Sequence, residues 1–405
     1  MRLLPEKANT DARVLVLTRS VRAFVDGIAF VVLPAYLIGL GFSGVQIGTV
    51  VAASLLGSAV LTLAAGSVAH RHGQVTLLRA ACAVMIVTGI AFGLLGSFVA
   101  LVVVGVVTTM NTSSGDVSPF LPLEQSILSG TVPDADRTSV FARYNLFGSL
   151  VGAAGALCAG VPVWLARSTG HAEQTGRQGA FVLYGLAGFV LLAAYSRLSP
   201  LPASAGGNGR AALSPGSRRI VLRLAALFSL DSLGGGFATQ AIFAIWVFGR
   251  FGLSVESLGV VFFAAGILSA FSSLLSVRVA ARIGLVRTMV FTHIPASLLL
   301  VLVALSPNLW TAMTLFVLRG LLSQMDVPVR TSYVMAVVAP AERAAAASIT
   351  NVPRSLASAL PPVLAGWMLD MSGFGWPLII CAACKITYDV LLLLMFRDVR
   401  PPEEL

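Results

Sequence analysis

Apolar residues run along most of the 405-residue chain in blocks that are separated by short polar segments. A helix of about 20 apolar residues spans the roughly 30 Å of hydrocarbon in a bilayer. We delimit twelve such blocks, near residues 21–40, 45–68, 76–95, 99–129, 139–165, 179–197, 220–248, 255–277, 287–305, 309–337, 344–369 and 375–396. The pattern predicts an all-α membrane protein with twelve transmembrane helices, spans 1 to 12, embedded in the lipid bilayer.

Composition and charge agree with this prediction and add a topology. Hydrophobic residues make up 57% of the chain and charged residues 11%, which excludes an ordinary soluble domain. The formal net charge is +10, but only Arg167, Arg177 and Arg250 fall in segments predicted to lie outside. This asymmetry predicts both termini in the cytoplasm, in a protein of the cell inner membrane. It also accounts for the charge without a nucleic-acid partner.

A segment rich in Pro, Gly, Ser and Ala divides the chain near its middle. Such a segment cannot bury an apolar face and is typical of a flexible linker. We predict an N-terminal six-helix half at 1–197, a cytoplasmic linker at 198–219 and a C-terminal six-helix half at 220–405.

The two halves resemble each other in sequence. Gly41 with its following residues matches Gly252, at an offset of 252 − 41 = 211, and the same offset places Gly73 on Gly284. Segment 122–126 matches 328–332, with 328 − 122 = 206. Matches in the same order at a near-constant offset indicate a duplicated six-helix unit. The second match places Glu124 opposite Arg330 in the alignment of the halves.

The turn after span 2 contains part of a known signature. Gly66, Arg71 and Gly73 fit the pattern G-x-x-x-D-R-x-G-R-[KR], whereas His70 replaces the acid and Gln74 the first basic residue of the final pair. With the duplication, this turn resembles the major facilitator superfamily along almost the whole chain. The resemblance implies a secondary transporter for a small organic solute, with one central site that opens alternately to each side and with Gly66, Arg71 and Gly73 in a conformational turn. We expect a monomer and no cofactor.

Three glycines in span 5 bear on the direction of transport. Gly148, Gly152 and Gly155 partly resemble the glycine-rich motif of drug/proton antiporters, which implies export, with protons as a coupling ion. The same small-residue spacing also serves plain helix packing. The alternatives are an uptake permease for an organic anion or metabolite and a non-transporting receptor or scaffold.

Ionisable residues inside the spans are the candidates for substrate or proton binding. Each costs about 2.5–3.5 kcal/mol at a helix centre unless it is paired or hydrated. No nucleotide-binding loop of the G-x-x-x-x-G-K-[ST] type occurs, so ATP-driven pumping is not expected, and we predict neither catalytic residues nor a metal site. The candidates are Asp26, Asp116, Glu124, Asp231, Asp326, Arg330 and Arg354.

The charges of Glu124 and Arg330 are complementary. In the superfamily, spans 4 and 10 face one another across the cavity, so the resemblance implies that Glu124 and Arg330 form a cytoplasmic gate. The alternative is that Arg330 pairs with Asp326 on its own helix while Glu124 faces water.

Span 4 cannot be one uninterrupted helix, because Pro119 and Pro122 remove backbone donors. Broken helices at membrane depth are tolerated mainly where they line a cavity, so we expect Asp116 to bind substrate; the alternative is a simple proline kink. Val327 and Pro328 predict a similar break in span 10.

The remaining charges have local explanations. Arg354 is expected to pair with Asp326 or to anchor an anionic group, while Asp26 can pair with Arg22 and Asp231 with Arg223. An acid on span 1 or 7 is also where proton coupling could reside. On span 12, Lys385 and Asp389 have the i,i+4 spacing of a self-neutralising pair, and His293 in span 9 is predicted to be a packing residue; both lie outside the predicted site.

Overall fold

The protein is described from a computed structural model, which covers residues 10–110, 118–130, 134–199, 213–339 and 342–397. The regular elements in these ranges are helices. They are α1 (Thr10–Gly39), α2 (Gly44–His72), α3 (Gln74–Leu94), α4 (Phe98–Val107), α5 (Phe120–Gly130), α6 (Asp134–Leu157), the 3-10 helix Cys158–Gly160, α7 (Val161–Ser168), α8 (Glu173–Tyr195), α9 (Pro215–Phe237), α10 (Gln240–Phe251), α11 (Val255–Ile283), α12 (Leu285–Leu305), α13 (Leu309–Arg319), α14 (Asp326–Ala336), α15 (Arg343–Ala359), α16 (Pro361–Met371) and α17 (Trp376–Phe396).

Nine helical stretches in the described ranges are long and apolar enough to cross a membrane. The other three predicted spans are each divided into two shorter helices: span 4 into α4 and α5, span 10 into α13 and α14, and span 11 into α15 and α16. These interruptions follow the local chemistry, since Pro119 directly precedes α5 and Pro361 is the first residue of α16. The predicted all-α membrane fold is confirmed.

The chain forms two compact units. The first comprises Met1–Gly206 and Leu253–Phe263, and the second comprises Gly207–Gly252 and Ala264–Leu405. The change of unit at Gly206 falls inside the segment predicted to be a linker. The first turns of α11 belong to the first unit, which the hydropathy pattern alone did not indicate.

Helix packing repeats from one unit to the next. In the first unit α1 packs on α6 and α8, and α3 packs on α8; in the second unit α9 packs on α15 and α17, and α12 packs on α17. Span 1 thus packs on spans 5 and 6, and span 3 packs on span 6. In the second unit span 7 packs on spans 11 and 12 in the same way, and span 9 packs on span 12. The duplication predicted from short sequence matches is therefore a duplication of tertiary structure.

Turn geometry repeats as well, at the glycines that the sequence comparison aligned. Gly41 and Gly252 have positive φ angles of 82° and 63°, and Gly73 and Gly284 have φ angles of 75° and 88°. This left-handed region favours glycine, which has no Cβ. Gly73 and Gly284 each immediately precede a helix, α3 and α12. In the signature turn Gly66 has open space around it, and the Arg71 side chain lies outside what the structure describes, so the conformational role of the turn stays a prediction.

The glycines of span 5 bring α6 against α1. A Cβ built on Gly155 would lie 2.0 Å from the carbonyl oxygen of Phe24, and a Cβ on Gly27 would lie 2.2 Å from the carbonyl oxygen of Gly152. Real side chains do not tolerate backbone contacts this short. The Gly148–Gly155 spacing thus has a packing role, which was the alternative to the antiporter motif.

We therefore expect Gly155→Ala to destabilise the protein by about 1–3 kcal/mol, because α1 and α6 must separate to admit the methyl group. Thermal unfolding of the purified protein measures the loss. Gly179→Ala on α8 is the matched control, since a Cβ there meets nothing within 4 Å. Equal melting temperatures for the two variants would contradict the packing role.

Candidate functional site

A buried ion pair lies in the first unit. Glu124 on α5 is completely buried, and its Oε2 accepts a hydrogen bond from Nη2 of Arg22 on α1 at 2.7 Å. Tyr144 on α6 donates to the same oxygen. Tyr195 on α8 and Thr18 on α1 donate to Oε1 at 2.5 and 3.3 Å. One carboxylate thus joins four helices.

The surroundings of Arg22 explain why this charge is tolerated. The residue is 1% exposed, and a buried cation without a counter-ion would cost several kcal/mol. Its guanidinium lies 4.5 Å above the centre of the Phe120 ring, which adds a cation–π contact. Its Nε and Nη1 donors are buried and have no hydrogen-bond partner in the described structure. Arg22 therefore keeps unused hydrogen-bonding capacity toward an anion.

A second buried ionic cluster lies in the second unit. Asp231 on α9 accepts from Nη1 of Arg330 on α14 through Oδ2 at 3.0 Å, and from Nζ of Lys385 on α17 through Oδ1 at 2.7 Å. The same Arg330 nitrogen lies 3.4 Å from Oδ2 of Asp326, one turn away. Asp231, Arg330 and Asp326 are 4–6% exposed. The cluster therefore holds α9, α14 and α17 together around one carboxylate.

The cluster continues to α12 through His293. Its Nε2 lies 3.3 Å from Nζ of Lys385 and 3.8 Å from Oδ1 of Asp231. Its Nδ1 lies 3.0 and 3.2 Å from the two carboxylate oxygens of Asp389. Both His293 and Asp389 are buried. Acidic and basic groups on four helices form one connected network.

The ion pairs of the two units occupy equivalent places with opposite polarity. The offset between Arg22 and Asp231 is 231 − 22 = 209, and that between Glu124 and Arg330 is 330 − 124 = 206. Both offsets lie within the range of 206 to 211 residues that separates the matching segments of the two halves. The first unit has its cation on span 1 and its anion on span 4; the second has its anion on span 7 and its cation on span 10.

Glu124 and Arg330 each have a counter-charge inside their own unit, on its first spanning helix: Arg22 for Glu124 and Asp231 for Arg330. The cytoplasmic gate between Glu124 and Arg330 stays a prediction. The alternative in which Glu124 faces water is wrong, since Glu124 is 0% exposed. The i,i+4 contact of Asp326 with Arg330 is present.

The predicted pairing of Arg354 with Asp326 is corrected. Arg354 on α15 donates from Nε to Ser232 Oγ at 3.0 Å and from Nη1 to Asn351 Oδ1 at 3.3 Å. Asp326 is paired instead with Arg330. The role of Arg354 as an anion anchor stays a prediction.

The predicted self-neutralising pair on span 12 is corrected as well. Lys385 bonds to Asp231, and Asp389 bonds to His293, because both side chains face neighbouring helices that carry ionisable groups. His293 is accordingly part of a charged network rather than a packing residue alone. Spacing along one helix could not show which residues approach from other helices.

The structure also shows the partners of the charged residues on spans 1 and 7, for which pairs within one helix were predicted. Arg22 uses its hydrogen bond on Glu124 rather than on Asp26, which lies half-buried on α1. Asp231 is buried while Arg223 is exposed, so their predicted pairing is replaced by the contacts of Asp231 with Arg330 and Lys385.

The predicted break in span 4 is present, since α4 ends at Val107 and α5 begins at Phe120. Span 10 is broken in the same way, with Pro328 in the first turn of α14. Backbone groups freed at membrane depth must be satisfied by protein or by a water-filled cavity. Asp116 lies outside the described residues, so its binding role stays a prediction.

Outside the spans, Glu342 anchors the start of span 7. Its Oε1 accepts a hydrogen bond from the backbone nitrogen of Ser214 at 2.7 Å. Hydrogen bonds from Ser217 and Ser214 lower the pKa of Glu342, so it carries a full negative charge at neutral pH. The turn between α14 and α15 is thereby tied to the beginning of α9.

Two repeated helical units, interrupted spans and charge pairs buried in spanning helices define a polytopic membrane protein with the architecture of a transporter. Comparisons with known proteins agree. The family model described as Major Facilitator Superfamily matches residues 224–405. The match lies in the second half of the chain, and the helical fold described above is similar to that of solved transporters along nearly its whole length.

Three solved structures share the fold. The nucleoside transporter NupG has a TM-score of 0.72 at 17% identity, with 96% of this chain and 100% of that chain covered. A bacterial homologue of the human lysosomal transporter Spinster, in an inward-facing unoccupied conformation, has a TM-score of 0.74 at 15% identity, with 96% of each chain covered. The inward-open xylose transporter XylE from E. coli has a TM-score of 0.72 at 13% identity, with 97% of this chain and 98% of that chain covered.

One curated relative is similar in sequence. The uncharacterized membrane protein YJR124C of Saccharomyces cerevisiae is 24% identical over 426 residues, which cover 97% of this chain and 95% of the relative. The predicted resemblance to the major facilitator superfamily is confirmed, and the protein is a multi-pass membrane protein with a transporter fold.

Proposed function

We propose that the protein is a secondary active transporter that moves a small organic solute across the cell inner membrane by alternating access, coupled to protons. The observation that carries the proposal is the pair of equivalent ion pairs, Arg22–Glu124 and Arg330–Asp231. Ionisable residues buried in spanning helices are costly and usually mark substrate or ion pathways. Interrupted spans 4, 10 and 11 add the discontinuous helices from which transporter sites are built.

Coupling to protons follows from the chemistry of the same clusters. A change of charge on one member of a buried ionic cluster changes how firmly the helices that it joins are held together. The donors of Arg22 that have no partner, and the partly buried Arg354, suit an anionic group on the solute. The export direction was predicted from the span 5 glycines and stays a prediction, so our proposal covers the mechanism of transport and not its direction.

Ligand screening followed by flux measurements tests this function. A ligand that binds the folded protein raises its apparent stability by about 2.7 kcal/mol at 100 times the dissociation constant. We expect a thermal-shift screen of metabolites and drugs to find such a ligand, and we expect an imposed pH gradient to drive its flux in proteoliposomes. A ligand that stabilises the protein without crossing the membrane would instead favour a receptor. Flux that ignores the pH gradient would overturn proton coupling.

A further inference from the structure

The buried charged network of the second unit includes a histidine, His293, in addition to its carboxylates, arginine and lysine. His293 on α12 is 3% exposed and lies between Asp389 on one side and Lys385 with Asp231 on the other. An imidazole can exist with or without a second proton, unlike an arginine guanidinium, which stays charged.

The contacts of His293 favour one tautomer of the neutral ring. A lysine ammonium only donates hydrogen bonds. Lys385 Nζ lies 3.3 Å from Nε2, so Nε2 must act as the acceptor. The hydrogen of the neutral ring is then on Nδ1, from which it is donated to Asp389 at 3.0 Å. The described arrangement therefore corresponds to an uncharged imidazole whose Nε2 accepts from Lys385.

A proton added at Nε2 would rearrange the cluster. The nitrogen would become a donor and could no longer accept from Lys385, whose positive charge would then repel the ring. Its nearest acceptor would be Oδ1 of Asp231 at 3.8 Å, the oxygen that Lys385 occupies at 2.7 Å. Imidazolium and ammonium would compete for one oxygen of the carboxylate whose other oxygen holds Arg330.

We propose that His293 binds the coupled proton and transmits its charge through Lys385 and Asp231 to the ion pair with Arg330. The inference rests on the proposed transport function. Asp389 supplies the negative charge that makes an imidazolium tolerable in the membrane interior. Proton binding at α12 thereby loosens or reorients the junction of α9 with α14, two helices that hold the equivalent of the Arg22–Glu124 pair.

Four charged or titratable groups contact this histidine. They are Asp231 on α9 and Lys385, Tyr388 and Asp389 on α17. The carboxylates favour the proton and the cations oppose it. Asp389, which lies closest on the side away from the cations, is the group that stabilises the protonated ring.

Nitrogen NMR of the full-length protein in lipid nanodiscs tests proton binding directly. The chain has four histidines, so the triple variant H70Q/H72Q/H171Q leaves His293 as its single imidazole. We expect the hydrogen on Nδ1 at high pH and uptake of one proton at Nε2 when the pH is lowered. A ring with its hydrogen on Nε2, or one that stays neutral throughout, would overturn the proposal.

Flux assays of His293→Gln test whether this proton is the coupled one. In the wild type the transport rate should change by up to about tenfold per pH unit, the limiting slope for one required proton. His293→Gln should abolish that slope, and Asp389→Asn should weaken it, whereas His171→Gln, in an exposed turn, should keep it. An unchanged slope in His293→Gln overturns the assignment but leaves proton-coupled transport intact. A wild type without any pH response overturns the proposed coupling, and the assignment falls with it.

Discussion

Glu124→Gln is expected to destabilise the first unit by about 3–5 kcal/mol and to abolish transport. The amide removes the negative charge that faces Arg22, which is 1% exposed. An uncompensated buried cation costs free energy of this order. The hydroxyls of Tyr144 and Tyr195 would at the same time lose a charged acceptor. Denaturant unfolding of the purified protein measures the loss.

The matched control is Glu173→Gln, which makes the same chemical change in an exposed ion pair. Glu173 is 42% exposed and pairs with Arg167 and Arg177. Water screens such pairs, so the control should leave stability nearly unchanged. A loss in Glu124→Gln no greater than in Glu173→Gln would show that the buried pair does not stabilise the unit.

Asp231→Asn is expected to have an effect of similar size in the second unit, again about 3–5 kcal/mol with loss of transport. The substitution removes the charge that neutralises both Arg330 and Lys385. Asp326→Asn is the comparison, because it removes a longer contact of 3.4 Å and leaves Arg330 paired with Asp231. Its effect should be clearly smaller. Equal losses in the two variants would contradict the central place of Asp231 in the cluster.

Much of the fold was predictable because its signals are local. Apolar length gives the spans, and glycines at positive φ, such as Gly73 and Gly284, mark equivalent turns. The interruption of span 4 was predictable from Pro119 and Pro122, which cannot both lie inside a regular helix.

The partners of the buried charges were not predictable from the sequence. The repeat identified Glu124 and Arg330 as equivalent, but Arg22 had a nearer sequence neighbour in Asp26, and Lys385 had one in Asp389. Helical spacing favours such i,i+4 pairs. In the structure both residues bond to other helices, because the rotation of each helix in its unit decides which side chains meet, and short sequence matches do not define that rotation.

One signal for the correct pairs was present in the chain. Arg22 and Asp231 are separated by 209 residues, close to the repeat offsets of 206 and 211. Aligning the charges of spans 1 and 7 together with those of spans 4 and 10 would have shown a cation and an anion in each half, with their order exchanged. That exchange is the basis of the central claim, that each unit is joined by its own buried ion pair.

The exchange of Arg22 and Glu124 tests this claim most directly. Arg22→Glu and Glu124→Arg each place like charges together, whereas the double variant restores the attraction in the order found in the second unit. A double-mutant cycle on the free energy of unfolding isolates the pairwise interaction. We predict that the double variant is more stable than the sum of the two single losses by at least about 2 kcal/mol, short of full recovery because Tyr144 and Tyr195 would face a cation. Additive losses would contradict the account.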